Sequence, residues 1–326
     1  MKIKSISNIE TINLLSAPAF FGYTQNLINL SVKRTDQDNI FVFGGLIHKL
    51  PGDSEPLSFV EQLQKLIAIG VDGIKMIEGK PTVIKELGYS IDDLKYDKFY
   101  SLLENKAIPL LMHVGDPATF WQREKIPDWA LENAWFYGDG TFPELEELYL
   151  QVNYILERFP DLNLILAHFY FMSDDIDSAA GFLDTWPNVK FDITPGFEMY
   201  SNFTKEPDRW HQFFTRYQDR ILFGTDNFGS MALDEARSKI MYMKKVLEKD
   251  GFSHPYFGSQ KGLCLQTDIL EKIYYKNYIK HIGDKAKKIN LDLLREECNR
   301  LKNIADNNND TMNIKEIEHI KNNYLN

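Results

Sequence analysis

Short apolar runs alternate with longer amphipathic segments along most of this chain of 326 residues. Most of the runs are apolar throughout, which is typical of strands whose two faces are both buried. Strands that alternate with helices indicate parallel pairing through right-handed crossovers. We predict strands at Glu10–Leu15, Ile40–Ile47, Gly73–Ile77, Ile108–Val114, Leu162–His168, Asn188–Thr194 and Arg220–Thr225.

The amphipathic segments predict helices. Ser58–Ile69 places Phe59, Leu63, Leu66 and Ile67 on one face. Another segment opens with a proline and two early glutamates, as helix N-termini prefer. That segment is Pro143–Arg158, and three more helical segments follow the last strand: Ser230–Lys249, Ile269–Ile279 and Asn290–Asn303.

The alternation of strands and helices fits either a doubly wound sheet or a barrel. No Gly-x-Gly-x-x-Gly turn and no Gly-x-x-x-x-Gly-Lys motif is present, so the nucleotide-binding doubly wound folds lose their main support. We therefore predict an α/β fold of the TIM-like (β/α)8 barrel type, with one barrel domain over residues 1–305. Residues 306–326 are polar and are predicted to form a C-terminal tail or a loose last helix.

One connection is much longer than the others and covers residues 115–141, with Trp121, Trp129 and Trp135 in it. Long loops inside a domain are usually functional, and we predict an aromatic lid that places Trp121 against substrate. Arg123 in the same loop is predicted to meet an anionic substrate group. The alternatives are that the tryptophans fill a satellite core and that Arg123 is a solvated surface residue.

The charge balance narrows the class of partner. The net charge is −10, from 37 basic and 47 acidic residues, which disfavours nucleic acid as a partner. Two cysteines without zinc-knuckle spacing indicate neither a disulfide framework nor a structural zinc site. The chain opens without a leader peptide and has no long apolar span, so we predict a cytoplasmic protein that binds a small-molecule substrate and no membrane.

Three polar residues stand at or just beyond the C-terminal ends of predicted strands, namely His113, His168 and Asp226. That end of the strands is the catalytic face of a parallel barrel. Two imidazoles and a carboxylate are typical ligands of hydrolytic zinc or manganese, because they hold the ion and leave a position open for water. The three residues therefore predict a metal site. Taken singly, each histidine is more often a satisfied core or surface residue.

The sequence resembles the amidohydrolase superfamily, and within it the amidohydrolase-related branch of metal-dependent hydrolases with a TIM-barrel fold. The resemblance covers most of residues 9–300, and its ordered segments are Phe43-Gly44-Gly45-Leu46, Gly73-Ile74-Lys75-Met76, Leu111-Met112-His113-Val114, Leu166-Ala167-His168-Phe169, Phe191-Asp192-Ile193-Thr194-Pro195-Gly196 and Leu222-Phe223-Gly224-Thr225-Asp226-Asn227.

The resemblance implies roles for three residues. His113 corresponds to the metal-ligating histidine after the fifth strand of a full barrel. His168 corresponds to the histidine after the sixth strand and either binds the metal or polarises the substrate carbonyl. Asp226 corresponds to the aspartate after the eighth strand, which binds the metal and takes a proton from the metal-activated water. Dimers are common in this family, so the resemblance also implies a homodimer.

The sequence departs from the family at its start. The first strand of the family carries His-x-His, two metal ligands that point to one face. No two histidines of this chain stand two positions apart, and Met1–Asn8 is too short for a strand and its crossover helix. The predicted strands then correspond to the second to eighth, and the first strand is missing or rebuilt. A start codon assigned too late, a truly truncated gene and a rebuilt N-terminus are the alternatives, and we expect weak metal binding at best.

Two further residues at strand ends are candidate substrate contacts. Lys75 is predicted to bind a substrate carboxylate, with a structural ion pair and a modified bridging ligand as the alternatives. His48 is predicted to line the mouth of the barrel, although a plain loop histidine fits as well. Asp192 lies within a strand, where a carboxylate needs a partner, and is predicted to support the site without touching a metal.

Three functions remain open at this point. The first is a metal-dependent hydrolase of a small amide, ester or lactone. The second keeps the fold but decarboxylates a small aromatic or unsaturated carboxylic acid, like aminocarboxymuconate-semialdehyde decarboxylase. The third is a catalytically impaired, truncated barrel with a binding or structural role.

Overall fold

Parallel strands and helices alternate along the chain, as the apolar runs predict. The structure is a computed structural model that describes residues 9–196, 198–255 and 258–325, so the predicted absence of a strand in Met1–Asn8 lies outside the described residues. All seven predicted strands are confirmed: β1 (Ile12–Leu15), β2 (Ile40–Gly44), β3 (Gly73–Gly79), β4 (Leu110–Val114), β5 (Leu164–Leu166), β6 (Lys190–Asp192) and β7 (Ile221–Leu222). The predicted α/β class is therefore confirmed.

The helices follow the strands in the order that the amphipathic pattern indicates. They are α1 (Pro18–Phe21), α2 (Gln25–Lys33), α3 (Phe59–Ile69), α4 (Pro81–Leu87), α5 (Asp97–Asn105), α6 (Asp128–Glu132), α7 (Leu145–Arg158), α8 (Ile176–Thr185), α9 (Met199–Lys205), α10 (Pro207–Arg216), α11 (Leu233–Glu248), α12 (Thr267–Glu271), α13 (Asn277–His281), α14 (Leu291–Asn307) and α15 (Thr311–Ile320). Short 3₁₀ turns cover Arg34–Asp36, Leu94–Tyr96, Ala118–Trp121 and Ala167–Phe171, and π turns cover Lys272–Lys276 and Lys321–Leu325. No helix among the described ranges is both long and apolar enough to cross a membrane.

Contacts divide the described chain into two compact units. The first unit comprises residues 11–112, 150–163 and 285–325. The second unit comprises residues 9–10 and 113–149 and the described parts of 164–284. Strand β4 passes from the first unit into the second between Met112 and His113.

In the first unit, β1 pairs with β2 and β2 with β3, both parallel. Helix α3 begins with a capping box, in which Ser58 and Glu61 satisfy each other's backbone donors. It ends at Gly70, whose φ of +118° is left-handed, and a Cβ there would lie 2.4 Å from the carbonyl oxygen of Lys288. Glycine is therefore required where α3 ends.

The C-terminal residues of the first unit are helical. Asp310 caps α15 by accepting a hydrogen bond from the backbone of Asn313 at 3.3 Å. Ile317, Ile320 and Leu325 are buried. The polar segment, over its described residues 306–325, thus contributes an amphipathic helix to this unit through its few apolar positions.

In the second unit, β5 pairs with β6 and β6 with β7, again in parallel. An aromatic core surrounds Phe169, whose ring centroid lies 5.0 to 6.2 Å from the rings of Phe191, Phe203, Trp210, Phe213 and Phe214. A two-stranded antiparallel hairpin, β8 (Gly251–His254) and β9 (Gly258–Lys261), was not predicted, because its strands are short, polar and largely exposed.

Candidate functional site

Two of the three predicted metal ligands lie side by side in the second unit. His113 is the penultimate residue of β4, and His168 follows β5. Their ring centroids are 5.0 Å apart, with the planes at 77°. The ring of Phe171 stacks on His168 at 5.2 Å and meets His113 edge-on at 5.5 Å. The structure therefore brings the two imidazoles together against one apolar wall.

The backbone around His168 is unusual. His168, Phe169, Tyr170 and Phe171 have φ values of +55°, +57°, +55° and +53°, all in the left-handed region. This conformation costs an L-residue roughly 1–2 kcal/mol, so four in succession require compensating contacts. Runs of this kind are concentrated at functional sites.

Asp192 supplies part of that compensation. Its Oδ1 accepts hydrogen bonds from the backbone N–H groups of His168 at 2.9 Å and Thr194 at 3.0 Å. Nδ1 of His168 lies 3.2 Å from the carbonyl oxygen of Thr194. Because a carbonyl only accepts, this contact holds a proton on Nδ1, and in the neutral ring Nε2 is the basic nitrogen.

A carboxylate that the sequence reasoning missed lies next to His113. Asp116 Oδ1 is 3.5 Å from Nε2 of His113, and its Oδ2 accepts a hydrogen bond of 2.6 Å from the Tyr137 hydroxyl. Burial, with Asp116 adding to it, raises the pKa of Tyr137, so the phenol keeps its proton and donates it to the carboxylate. The position of Asp116 two residues after β4 was a signal that could have identified it.

A second missed carboxylate is Glu198, which stands just before α9 on the connection that leaves β6. Its Oε2 is inaccessible to solvent and has no hydrogen-bond partner among the described residues. Burial raises the pKa of Glu198 to about 7; the charges of Asp174 and Asp116 add to the effect, and its own backbone N–H and Lys205 oppose it. A carboxyl group that titrates near neutral pH can donate or accept a proton in catalysis.

Asp226, the third predicted ligand, is placed differently. It follows β7, is exposed, and has a φ of +46°. Its backbone carbonyl accepts a hydrogen bond of 2.9 Å from Nζ of Lys239. The described residues contain no group of three or more His, Cys, Asp and Glu side chains arranged to hold a metal ion.

The donor set therefore does not fit the metal centre that the family pattern implies. His113, His168 and Asp116 are three potential donors, but among the described residues they are not arranged to converge on one ion as the three ligands of a catalytic zinc site do. The metal set of His113, His168 and Asp226 stays a prediction, as do the zinc or manganese ion and the proton-accepting role of Asp226.

Of the two substrate contacts predicted in the first unit, Lys75 is buried and His48 has a buried side chain. Lys75 lies within β3 and is 6% exposed. The ring of His48 is engaged on both sides, with Nε2 2.7 Å from Glu78 Oε1 and Nδ1 2.8 Å from the Tyr89 hydroxyl oxygen. Both nitrogens of His48 thus already have partners within the protein.

The two predicted contacts in the long loop lie in a local aromatic cluster. Trp121 Nε1 donates to the carbonyl of Pro143 at 3.1 Å, and its ring packs edge-on against Tyr137 at 4.9 Å. Arg123 is exposed, with its guanidinium carbon 5.5 Å from the centre of the Phe136 ring. These contacts belong to a local core within the loop, and the substrate contacts of Trp121 and Arg123 stay predictions. The buried residues of this core are Phe120, Ile126, Ala130 and Tyr137.

Solved structures with a similar fold support the barrel class. An uncharacterised TIM-barrel protein from Bordetella bronchiseptica is 14% identical, with a TM-score of 0.57 over 87% of this chain and 81% of that chain. A 2,6-dihydroxybenzoate decarboxylase is 16% identical, with a TM-score of 0.52 over 86% of each chain. A candidate 2-pyrone-4,6-dicarboxylic acid hydrolase from Pseudomonas putida is 10% identical, with a TM-score of 0.52 over 87% and 86%. At these identities the similarity is one of fold, and it confirms the predicted TIM-like class.

Sequence comparison decides the family. No curated protein matches the sequence as a relative. The family model described as Amidohydrolase, whose members are generally metal-dependent, matches residues 17–277, which is most of the chain. The predicted resemblance is thereby confirmed, and the chain belongs to the amidohydrolase family.

Proposed function

We propose that this chain hydrolyses a small amide, ester or lactone, with His168 as the general base and His113 as the electrophilic group on the substrate carbonyl. The observation that carries the proposal is the pair of imidazoles 5.0 Å apart, with Asp116 Oδ1 3.5 Å from Nε2 of His113 and the Thr194 carbonyl oxygen 3.2 Å from Nδ1 of His168. Because the donor set does not fit a metal centre, the proposal assigns each step to side chains of this chain.

The surroundings of the two imidazole rings differ, and this difference supports the electrophilic role for His113 and the general-base role for His168. Two imidazolium ions this close would repel each other, so the assignment places a positive charge on only one ring of the pair. Asp116 stabilises that charge on His113, while the Thr194 carbonyl keeps Nε2 of neutral His168 basic. A base and an acid whose environments differ in this way can operate together near neutral pH.

The steps follow from this assignment. His168 takes a proton from water as the water oxygen forms a bond to the carbonyl carbon. The imidazolium of His113 donates a hydrogen bond to the carbonyl oxygen, whose negative charge develops in the tetrahedral intermediate. The bond to the leaving group then breaks, and the leaving group must gain a proton as it departs.

Decarboxylation is the second reaction that such a pair can serve. One similar structure is a 2,6-dihydroxybenzoate decarboxylase, and another is a 5-carboxyvanillate decarboxylase from Sphingomonas paucimobilis. In that reaction the protonated imidazole would deliver a proton to the carbon that loses carbon dioxide. Hydrolysis consumes water and releases no carbon dioxide, so the two reactions have separate readouts.

The test is a substrate panel with matched variants. The purified full chain is given small lactones, esters, amides and aromatic carboxylic acids, and acid release and carbon dioxide release are recorded in parallel. We expect acid release without carbon dioxide, and a loss of about 10²–10⁴-fold in kcat for His168→Asn and for His113→Asn. His319→Asn, at an exposed histidine of α15, is the control and should retain full activity.

Two outcomes contradict the proposal. Carbon dioxide release assigns the chain to decarboxylation. An inactive wild-type chain across the whole panel, with folding verified by circular dichroism, supports the impaired barrel.

A further inference from the structure

Hydrolysis of an amide or an alkyl ester requires a proton donor for the basic leaving group, and the proposed base and the proposed electrophile leave that role open. Glu198 lies on the same connection after β6 that carries Thr194, the carbonyl partner of His168. A Cβ built on Gly196 would lie 3.6 Å from Glu198 Oε1 and 3.7 Å from Phe171 Cε1. Phe171 is the ring that stacks on His168, so Glu198 and this ring both lie beside Gly196.

The carboxyl group of Glu198 has no evident structural task. It stands at the N-cap of α9, yet its side chain makes no capping hydrogen bond to the helix. The nearby cation, Lys205, is engaged with Asn202 Oδ1 at 2.7 Å. An ionised carboxylate oxygen that is removed from water without a donor is costly, and Oε2 is such an oxygen with respect to the described residues.

The charges that face Glu198 favour its protonated form. Burial is the main cause of its raised pKa, Asp174 and Asp116 raise it further, and Lys205 is the opposing charge. The result, a pKa of about 7, means that a substantial fraction of the side chain carries a proton at neutral pH. A general acid is most effective when its pKa lies near the working pH.

Building on the proposed function, we propose that Glu198 is the catalytic acid that protonates the leaving group. The bond between the carbonyl carbon and the leaving nitrogen or oxygen breaks, and its electron pair stays on that heteroatom. The heteroatom takes the proton from the Glu198 carboxyl group. Protonated His168 then passes the proton that it took from water to the Glu198 carboxylate. Each turnover therefore adds one water molecule across the substrate bond.

Leaving-group dependence tests this role. An alkyl ester releases a basic alkoxide that needs a proton, whereas a 4-nitrophenyl ester releases a stable phenolate that does not. We expect Glu198→Gln to lose about 10²–10⁴-fold in kcat on ethyl acetate and less than about threefold on 4-nitrophenyl acetate. Glu198→Asp should recover part of the loss. Glu206→Gln removes the same charge at an exposed glutamate between α9 and α10, and this matched control should retain full activity on both esters.

The pH profile gives an independent readout. With ethyl acetate, kcat of the wild-type chain should fall as the pH rises through about 7, because Glu198 loses the proton that it must donate. This alkaline limb should be absent for Glu198→Gln and for the 4-nitrophenyl ester. Infrared titration should also show a protonated carboxyl band at about pH 6, below the pKa of Glu198, that Glu198→Gln lacks.

The outcomes separate the two proposals. A wild-type chain that hydrolyses neither ester nor any other panel substrate overturns the proposed function and the acid role with it. An active wild-type chain in which Glu198→Gln loses equally on both esters, or loses nothing, overturns the acid role alone.

Discussion

The Tyr137 hydroxyl donates a hydrogen bond of 2.6 Å to Asp116 Oδ2, and this bond joins the aromatic cluster of residues 115–141 to the carboxylate beside His113. Tyr137 belongs to the buried core of the long loop, so this core contacts the carboxylate that lies beside His113. Tyr137 is fully buried, so its hydroxyl has a fixed direction. The tryptophans that suggested a lid in the sequence are part of the packing that holds this tyrosine in place.

Tyr137→Phe removes the donor and leaves the ring. The buried Asp116 carboxylate then lacks one partner, which should lower the free energy of unfolding by about 1–3 kcal/mol. Since Asp116 is freed to turn away from His113, kcat should fall by roughly tenfold. Thermal unfolding and steady-state kinetics measure the two effects. Tyr154→Phe, at an exposed tyrosine, is the control, and equal kinetics for both variants would show that Tyr137 does not position Asp116.

Asp192→Ala removes the acceptor that holds the backbone of His168. The buried N–H group of Thr194 and the half-buried one of His168 lose their partner, so we expect a loss of roughly 2–4 kcal/mol in unfolding free energy together with a fall in kcat. Asp192→Asn keeps an acceptor oxygen and should retain much more of both. Asp208→Ala, at an exposed position, is the control. An unchanged kcat in a folded Asp192→Ala chain would show that catalysis does not depend on the left-handed backbone of residues 168–171.

The sequence predicts the strands well and the site only in part, for a physical reason. Strands buried on both faces leave continuous apolar runs, and His113 and His168 stand at the ends of such runs. The left-handed backbone of His168 depends on Asp192, 24 positions away, and the placement of Asp116 depends on Tyr137, 21 positions away. Contacts over such separations leave no local pattern. The polar hairpin β8–β9 lacks the apolar alternation on which strand prediction relies.

His48→Leu tests whether the buried histidine has a structural role. The side chains of His48 and Glu78 are both 2% exposed, and Oε2 of Glu78 has no hydrogen-bond partner among the described residues. Removing His48 takes away the partner of Oε1 in this buried carboxylate, which should cost about 3–5 kcal/mol in unfolding free energy. The double variant His48→Leu/Glu78→Leu should recover part of that loss. Denaturant unfolding measures both. A stable His48→Leu chain with a raised KM would instead support the predicted substrate contact.

Glu198 should also leave a signature in the dependence of stability on pH. Its pKa is raised from the ordinary value of 4.5 to about 7 in the folded chain, so between these values the folded state holds a proton that the unfolded state has lost. Stability from this group is therefore present below pH 4.5 and declines as the pH rises to about 7. Glu198→Gln removes the decline, and its stability relative to wild type should grow over this interval by roughly 1–3 kcal/mol. Thermal unfolding from about pH 4 to about pH 9 measures the difference, and a constant difference would contradict the raised pKa.

Asp226→Asn distinguishes the proposed chemistry from the metal mechanism of the family pattern. Asparagine tolerates the left-handed backbone at this position, so the substitution removes the charge with little strain. If His168 is the base, kcat should change by less than about threefold, whereas loss of a metal-bound general base would lower it by about 10²–10⁴-fold.

Elemental analysis of the purified chain should find less than one equivalent of zinc or manganese, and a chelator should leave activity unchanged. One bound ion per chain, with activity lost on chelation and in Asp226→Asn, would instead establish His113, His168 and Asp226 as the ligands.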